Sequence, residues 1–421
     1  MDPITAALQA IHGELAGCDE GSLADYIPQL SLADPSRFGL AVVSLGGQVY
    51  AAGDAYEPFT IQSVSKPFVY ALALAEHGLD RILMQVGAEP SGEAFNAISI
   101  DPAGRPANPM INAGAIVATS LVGTSLVGTD DPAKRFDHIH AGLSAFAGRE
   151  LEVDEDTYAS ERRTGDRNRA LAYLMRAAGS LTAEVDEAVN TYFRQCSVLV
   201  TTVDIAVMAA TLANGGVNPR TGERVIGERE AGLTLTVMAT CGMYDYSGEW
   251  LVRAGVPAKS GVSGGLIAAS PAQFGIGLYS PLVDERGNSV RGVRAVQRIS
   301  ETFELDLTRH PGLTSPVVSL RTEVTSAVVI RALQGELDFA AAEVVLIELL
   351  GLTPPQVRAL VLDLSSVTHA WPVAVRLLAA AIAALTEQGV LVAAVGDALP
   401  ELAEVRRFEQ RSDAVSWCLD V

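Results

Sequence analysis

Ser63-Val64-Ser65-Lys66 places a lysine three residues after a serine. Of 30 basic residues, only Lys66, Lys134 and Lys259 are lysines, and the rest are arginines. Arginine keeps its proton in proteins, whereas a buried lysine can lose it. A neutral amine one helical turn from a serine oxygen can take the serine proton and create a nucleophile. Free lysine titrates near about 10.4, so such a base needs burial or a like charge beside it. Lys259 is a candidate for that second charge. By itself the Ser63–Lys66 spacing also suits a capped helix start with a surface lysine.

The apolar pattern after Ser63 predicts that it opens a helix, with the serine oxygen at the positive end of the helix dipole. Further helices are expected at 65–77, 112–127, 166–179, 183–194 and 203–214. Strand-like runs at 38–45 and 47–53 meet at Gly46-Gly47 as a hairpin. Strands return near Lys259 and in the run beginning at Gln273, before a closing helix. The first domain, 1–308, is therefore expected to build its sheet from both ends, with helices inserted between. Residues 309–317, with two prolines nearby and a glycine, are the expected linker. Residues 318–421 alternate strands with helices, the pattern of a small α/β domain.

Composition narrows the partners. The net charge of −20 argues against nucleic acid and against an anionic membrane surface. The apolar run 377–385 is about half of what a spanning helix needs. The N-terminus lacks a basic n-region, and the four cysteines are scattered, so a reduced cytoplasmic protein is expected. His138 and His140 have no third ligand nearby in sequence and read as a solvated face rather than a metal site.

Lys259-Ser260-Gly261 strengthens the chemical reading. Ser-x-x-Lys followed by Lys-[Ser/Thr]-Gly marks penicillin-recognising serine enzymes. More specifically, "DYIPQL" (25–30), "EPSGEAFN" (89–96), "NPMINAGAIV" (108–117), "SERRTGDRNRALAYLM" (160–175) and "CGMYDYSGEW" (241–250) resemble the serine-dependent glutaminases. The resemblance runs in order over about residues 20–305. It implies a β-lactamase-like α+β fold, an antiparallel sheet with a helical insertion. The implied reaction is hydrolysis of L-glutamine to L-glutamate and ammonia, without metal or organic cofactor. It implies that Ser63 attacks the side-chain amide and that Lys66 accepts its proton. Tyr244, with Tyr26 close by, would pass a proton to the leaving ammonia. The backbone N–H groups of Ser63 and Val262 would hold the oxyanion, and Lys259 would support the site. Glu161 would bind the substrate ammonium; Asn112, Asn168 and Tyr192 would serve its carboxylate and side chain. A homo-oligomer, dimer or tetramer, is implied as well.

From residue type alone, Glu161 and Asn168 would instead read as a solvated helix face, and Tyr244 as an aromatic packed in a loop. Asn112 lies in an apolar run and needs hydrogen-bond partners in either case. The segment 317–421 resembles the STAS family through "DLSSVTHAWPVAVRLL". At the usual phospho-acceptor stretch it carries Trp371, Pro372, Val373 and Ala374, which removes the phosphorylatable serine. An interaction module or small-ligand sensor is the expectation, against a scaffold that only stabilises the enzyme. Two other readings are a penicillin-recognising serine hydrolase, disfavoured because no convincing Ser-Asp-Asn is found, and a regulatory protein with an inactive enzyme domain.

Overall fold

The computed structural model describes residues 3–92, 100–124, 132–303, 305, 307, 317–325, 327–337, 342, 345, 346, 348, 349, 351, 352, 357–370, 372–398 and 405–420. The chain forms two compact units, Met1–His310 and Pro311–Val421. The expected linker falls, apart from Val317, outside the described residues.

The first unit is organised by a five-stranded antiparallel sheet of β1 (Gly39–Ser44), β2 (Val49–Gly53), β3 (Ala258–Ser260), β4 (Gly265–Ser270) and β5 (Phe274–Tyr279). Its order is β2-β1-β5-β4-β3. Leu40 pairs with Leu278 and Val42 with Ile276, so the two ends of the unit close the sheet. Alternation along the strands divides two cores. Leu40, Val42, Ile276 and Leu278 pack with Leu8 of the helix Pro3–Leu15 and Ile299 of the helix Val290–Phe303. Ala41 and Val43 face Ala206, Val207 and Ala210. Those belong to Thr202–Ala213, a helix buried throughout and opened by a Thr201–Asp204 capping box. Gly277 permits that contact: a Cβ there would lie 2.3 Å from the Thr202 carbonyl oxygen.

The remaining helices stand between the strands in sequence. Lys66–His77, Asn112–Leu121, Asp166–Ala177 and Val185–Cys196 match expected segments. The second ends at Leu121 rather than 127, because Val122 turns extended. Pro132–Ala147, Glu155–Thr164, Glu228–Cys241 and Ser247–Ala254 are additional. Glu155–Thr164 is almost wholly polar, so no apolar period announced it; its signal is the Asp154 cap, which accepts from Asp156 and Thr157 N–H. Ser63 does not open the α-helix. It sits in a 3-10 turn, Gln62–Ser65, and the α-helix begins at Lys66.

The second unit holds a five-stranded sheet: Val318–Thr325, Val328–Leu337, Ala359–Ala370, Leu391–Val395 and Arg406–Phe408, in that spatial order. The first pair is antiparallel and the others parallel. Leu360, Leu362 and Leu364 pack on Leu378 and Leu385 of the helix Pro372–Glu387. Ala359, Val361 and Val395 pack on Ala414 and Cys418 of the helix Arg411–Asp420. Pro372 opens its helix, where a missing N–H costs nothing. Trp371 and the side chain of Val373 lie outside the described residues. Among the described residues no helix is long and apolar enough to cross a membrane.

Candidate active site

Lys66 is 1% exposed and its Nζ lies 3.0 Å from Ser63 Oγ. The same amine donates to Asn112 Oδ1 at 2.7 Å. Burial lowers its pKa to about 8, against opposing contributions from Cys196 and Glu161. Desolvation therefore supplies what the sequence required. A neutral amine has two N–H groups and one lone pair. Spending an N–H on Asn112 leaves the lone pair to face Ser63.

Lys259 stands on β3, fully buried. Its Nζ donates to the Ser260 carbonyl oxygen and lies 4.0 Å from the centre of the Tyr244 ring. Burial first, and then the charge on Lys66, push its pKa well down. Tyr244 donates to the same Ser260 oxygen at 3.0 Å. Burial raises its phenol pKa, and a hydrogen bond with Ser63 is the largest opposing effect. Ser63, Lys66, Tyr244 and Lys259 are thus one connected cluster.

Val262 occupies the turn between β3 and β4, closed by Gly261 N–H to the Gly265 carbonyl. Gly261 brings this turn against the serine: a Cβ there would lie 3.3 Å from the Val64 backbone nitrogen. Among the described residues, neither the Ser63 nor the Val262 backbone N–H has a hydrogen-bond acceptor. Two buried donors without acceptors are unusual.

The amides and acids gather on the other side of Lys66. Asn112 Nδ2 donates to Asn168 Oδ1 at 2.9 Å, and Tyr192 OH donates to Asn112 Oδ1 at 3.2 Å. Tyr26 OH stands 2.8 Å from Glu161 Oε1 and 2.7 Å from Gln62 Oε1. Tyr26 is 44% exposed overall, yet its phenol tip turns inward onto these two buried groups. Burial raises the Glu161 pKa to about 7, opposed by hydrogen bonding with Tyr26 and Gln62 and by the charge of Lys66. Tyr26, Asn112, Glu161 and Asn168 line a cavity of ≈ 170 Å³ together with Thr164, Gly165 and Arg167. A larger groove of ≈ 510 Å³, lined by Arg162, Arg163 and Arg169, contains none of the clustered groups.

The structure therefore gathers all ten expected residues: Tyr26, Ser63, Lys66, Asn112, Glu161, Asn168, Tyr192, Tyr244, Lys259 and Val262. Glu161 and Asn168 are buried, which removes the solvated-face reading. They come from consecutive helices joined at Gly165. Two residues escaped sequence reasoning. Gln62 is buried beside the serine and holds Tyr26. Cys196 is buried against Tyr192, and burial pushes its thiol up to about 12. The available signal for Gln62 was its place directly before the serine in "FTIQSVSKPF". Gln62 and Tyr244 adopt φ of 48° and 58°, the left-handed region. Each such residue costs on the order of 1–3 kcal/mol, and the strain collects at this cluster.

His138 and His140 lie on a helix; His138 Nε2 stands 3.1 Å from Glu76, and His140 Nε2 stands 2.7 Å from the Leu151 carbonyl oxygen. Among the described residues no group of His, Cys, Asp and Glu side chains could hold a metal ion.

A family model for Glutaminase matches residues 21–307. Over 450 aligned positions the chain is 41% identical to Glutaminase 2 of Bradyrhizobium diazoefficiens, covering 99% of this chain and 71% of that one. A crystal structure of Mglu matches with a TM-score of 0.86 at 43% identity, covering 94% of this chain and 98% of Mglu. Mglu is also known in a glutamate form. The probable glutaminase ybaS matches with a TM-score of 0.71 at 36% identity; all of it (100%) is covered by 74% of this chain. The family match and the mixed α/β fold shared with these glutaminases mark the chain as an enzyme. The chain belongs to the glutaminase family.

Proposed function

We propose that this enzyme hydrolyses L-glutamine to L-glutamate and ammonia through a covalent γ-glutamyl ester on Ser63. The observation that carries the reading is the 3.0 Å contact between Ser63 Oγ and a buried Lys66 amine whose pKa is lowered to about 8. Ser63 Oγ attacks the side-chain amide carbon as Lys66 takes its proton. The negative charge moves to the amide oxygen, between the N–H groups of Ser63 and Val262. Tyr244, hydrogen-bonded to Ser63, delivers the proton that the nitrogen needs. The C–N bond then breaks and ammonia leaves. The proton on Lys66 passes back to Tyr244, which restores both groups. Water then adds to the ester carbon as Lys66 takes its proton, the C–Oγ bond breaks, and Ser63 Oγ receives that proton from Lys66. Glu161 pairs with the α-ammonium, with Tyr26 fixing its carboxylate. Asn168 and Tyr192, anchored through Asn112, serve the α-carboxylate. Lys259 holds Tyr244 and the Ser260 carbonyl in place.

The testing experiment is ammonia release from L-glutamine by the purified protein, with L-asparagine as comparison. Absence of release, with and without phosphate, would move the assignment to another serine hydrolase on this β-lactamase-like scaffold. Nitrocefin hydrolysis would then identify the penicillin-recognising class.

The pH profile supplies a second check. Both Lys66 and Glu161 must be unprotonated to work, and their pKa values are lowered to about 8 and raised to about 7. kcat/KM is therefore expected to rise with pH, about tenfold per unit between about 7 and 8 and more steeply below. A flat profile from about pH 6 to 9 would remove Lys66 as the base.

The second unit is read as a STAS-like interaction module. Its support is the mixed sheet with helices on both faces, together with the helix start at Pro372 in place of a phospho-acceptor. Homo-oligomerisation is the expected consequence. Removing residues 312–421 should change the oligomeric mass measured by light scattering and leave turnover per site within about threefold. Unchanged mass and unchanged salt response would reduce this unit to a stabilising scaffold.

A further inference from the structure

A buried polar chain runs beneath the nucleophile. Thr119 Oγ1 donates to Gln195 Oε1 at 2.8 Å. Gln195 Nε2 donates to Ser65 Oγ at 2.9 Å. Ser65 Oγ in turn donates to the Gln62 carbonyl oxygen at 2.7 Å. Ser65, Thr119 and Gln195 are each 0% exposed. The chain ties the helix that carries Asn112 and the helix that carries Tyr192 to the turn that carries Ser63.

The Gln62 carbonyl and the Ser63 N–H belong to one peptide unit. That unit is planar, with its C=O and N–H pointing in opposite directions. Whatever fixes the Gln62 oxygen therefore aims the Ser63 N–H. The fixing matters because Gln62 has φ 48°, which a side-chain-bearing residue leaves readily unless held. No group in the chain is left over for substrate: each hydroxyl donates once, and both ends of the Gln195 amide are used.

We infer that Ser65, braced by Gln195 and Thr119, is a positioning residue that aims the Ser63 backbone N–H at the oxyanion of the reaction. The inference rests on Ser63 being the nucleophile. It concerns transition-state charge, not substrate binding. Loss of the brace should lower kcat while leaving the recognition groups, Glu161 and Asn168, undisturbed.

The test compares Ser65→Ala, Gln195→Met, Thr119→Val and Ser63→Ala. The readouts are kcat and KM for L-glutamine, the inhibition constant of L-glutamate, and Tm. Ser65→Ala is expected to lower kcat between about 10- and 100-fold, the scale of a misaimed catalytic group. KM and L-glutamate inhibition should stay within about threefold. Gln195→Met, which keeps the shape of the side chain, should act in the same direction, and Thr119→Val more weakly. Ser65→Thr, which keeps the hydroxyl, should recover most of kcat. Wild-type kcat in both Ser65→Ala and Gln195→Met, with Ser63→Ala inactive, would overturn the inference alone. Parallel losses in kcat, KM and Tm would overturn it too, since they mark a purely structural role. If Ser65→Ala does not fold, Gln195→Met decides. Turnover by Ser63→Ala would instead remove the nucleophile on which the inference stands.

Discussion

Ser63→Ala should abolish ammonia release from L-glutamine, with kcat falling by about 10⁴–10⁶-fold. No other hydroxyl in the cluster can take over. Tyr244 is a phenol that burial keeps protonated, a poor nucleophile, and Ser65 Oγ donates to the Gln62 carbonyl. The fold should survive. Ser63 Oγ meets Lys66 and Tyr244, but Lys66 keeps its stronger contact with Asn112 at 2.7 Å. The change in stability should stay within about 1 kcal/mol, the range of a small substitution without a new cavity. A coupled ammonia assay and a thermal melt measure both quantities. Turnover above about one part in a hundred of wild type would exclude the ester route.

Glu161→Gln should raise KM for L-glutamine by about 10²-fold or more, with a smaller effect on kcat. Losing one member of a buried charge pair costs about 2–5 kcal/mol. The carboxyl of Glu161 already resists ionisation, with its pKa raised to about 7. An arriving ammonium supplies the charge that the site lacks and pulls that pKa down. Glutamine at position 161 keeps the size and an acceptor for Tyr26, so Tm should hold or rise slightly. An analogue lacking the α-amino group should bind wild type and variant equally poorly. An unchanged KM would sink the assignment of Glu161 to the ammonium.

The contact between Ser63 and Lys66 was legible because its members lie one turn apart, and because lysine is rare in this chain. Lys259 was legible for the same reason. The hairpin at Gly46-Gly47 and the apolar helices followed from their periods. Glu161 and Asn168 were not legible from residue type. They lie in a run of charges, and their burial shows only in the fold, on consecutive helices joined at Gly165, where the missing side chain lets Phe193 pack close. Period could not find Glu155–Thr164, which has almost no apolar stripe, or place the last turn of the helix that starts at Asn112. The brace Thr119–Gln195–Ser65 was hidden for a different reason. Its three polar residues are far apart in sequence and look like ordinary helix residues until the helices meet.

The pairing of Leu40 with Leu278 has a consequence for how the polypeptide is made. The hairpin leaves the ribosome long before the strand that pairs beside it, Phe274–Tyr279, exists. At about 5–20 residues per second, the wait is roughly 10–50 s. Throughout that interval one edge of Gly39–Ser44 offers open backbone groups beside apolar side chains, a template for aggregation. Fragments ending before Tyr279 should therefore be recovered as insoluble material.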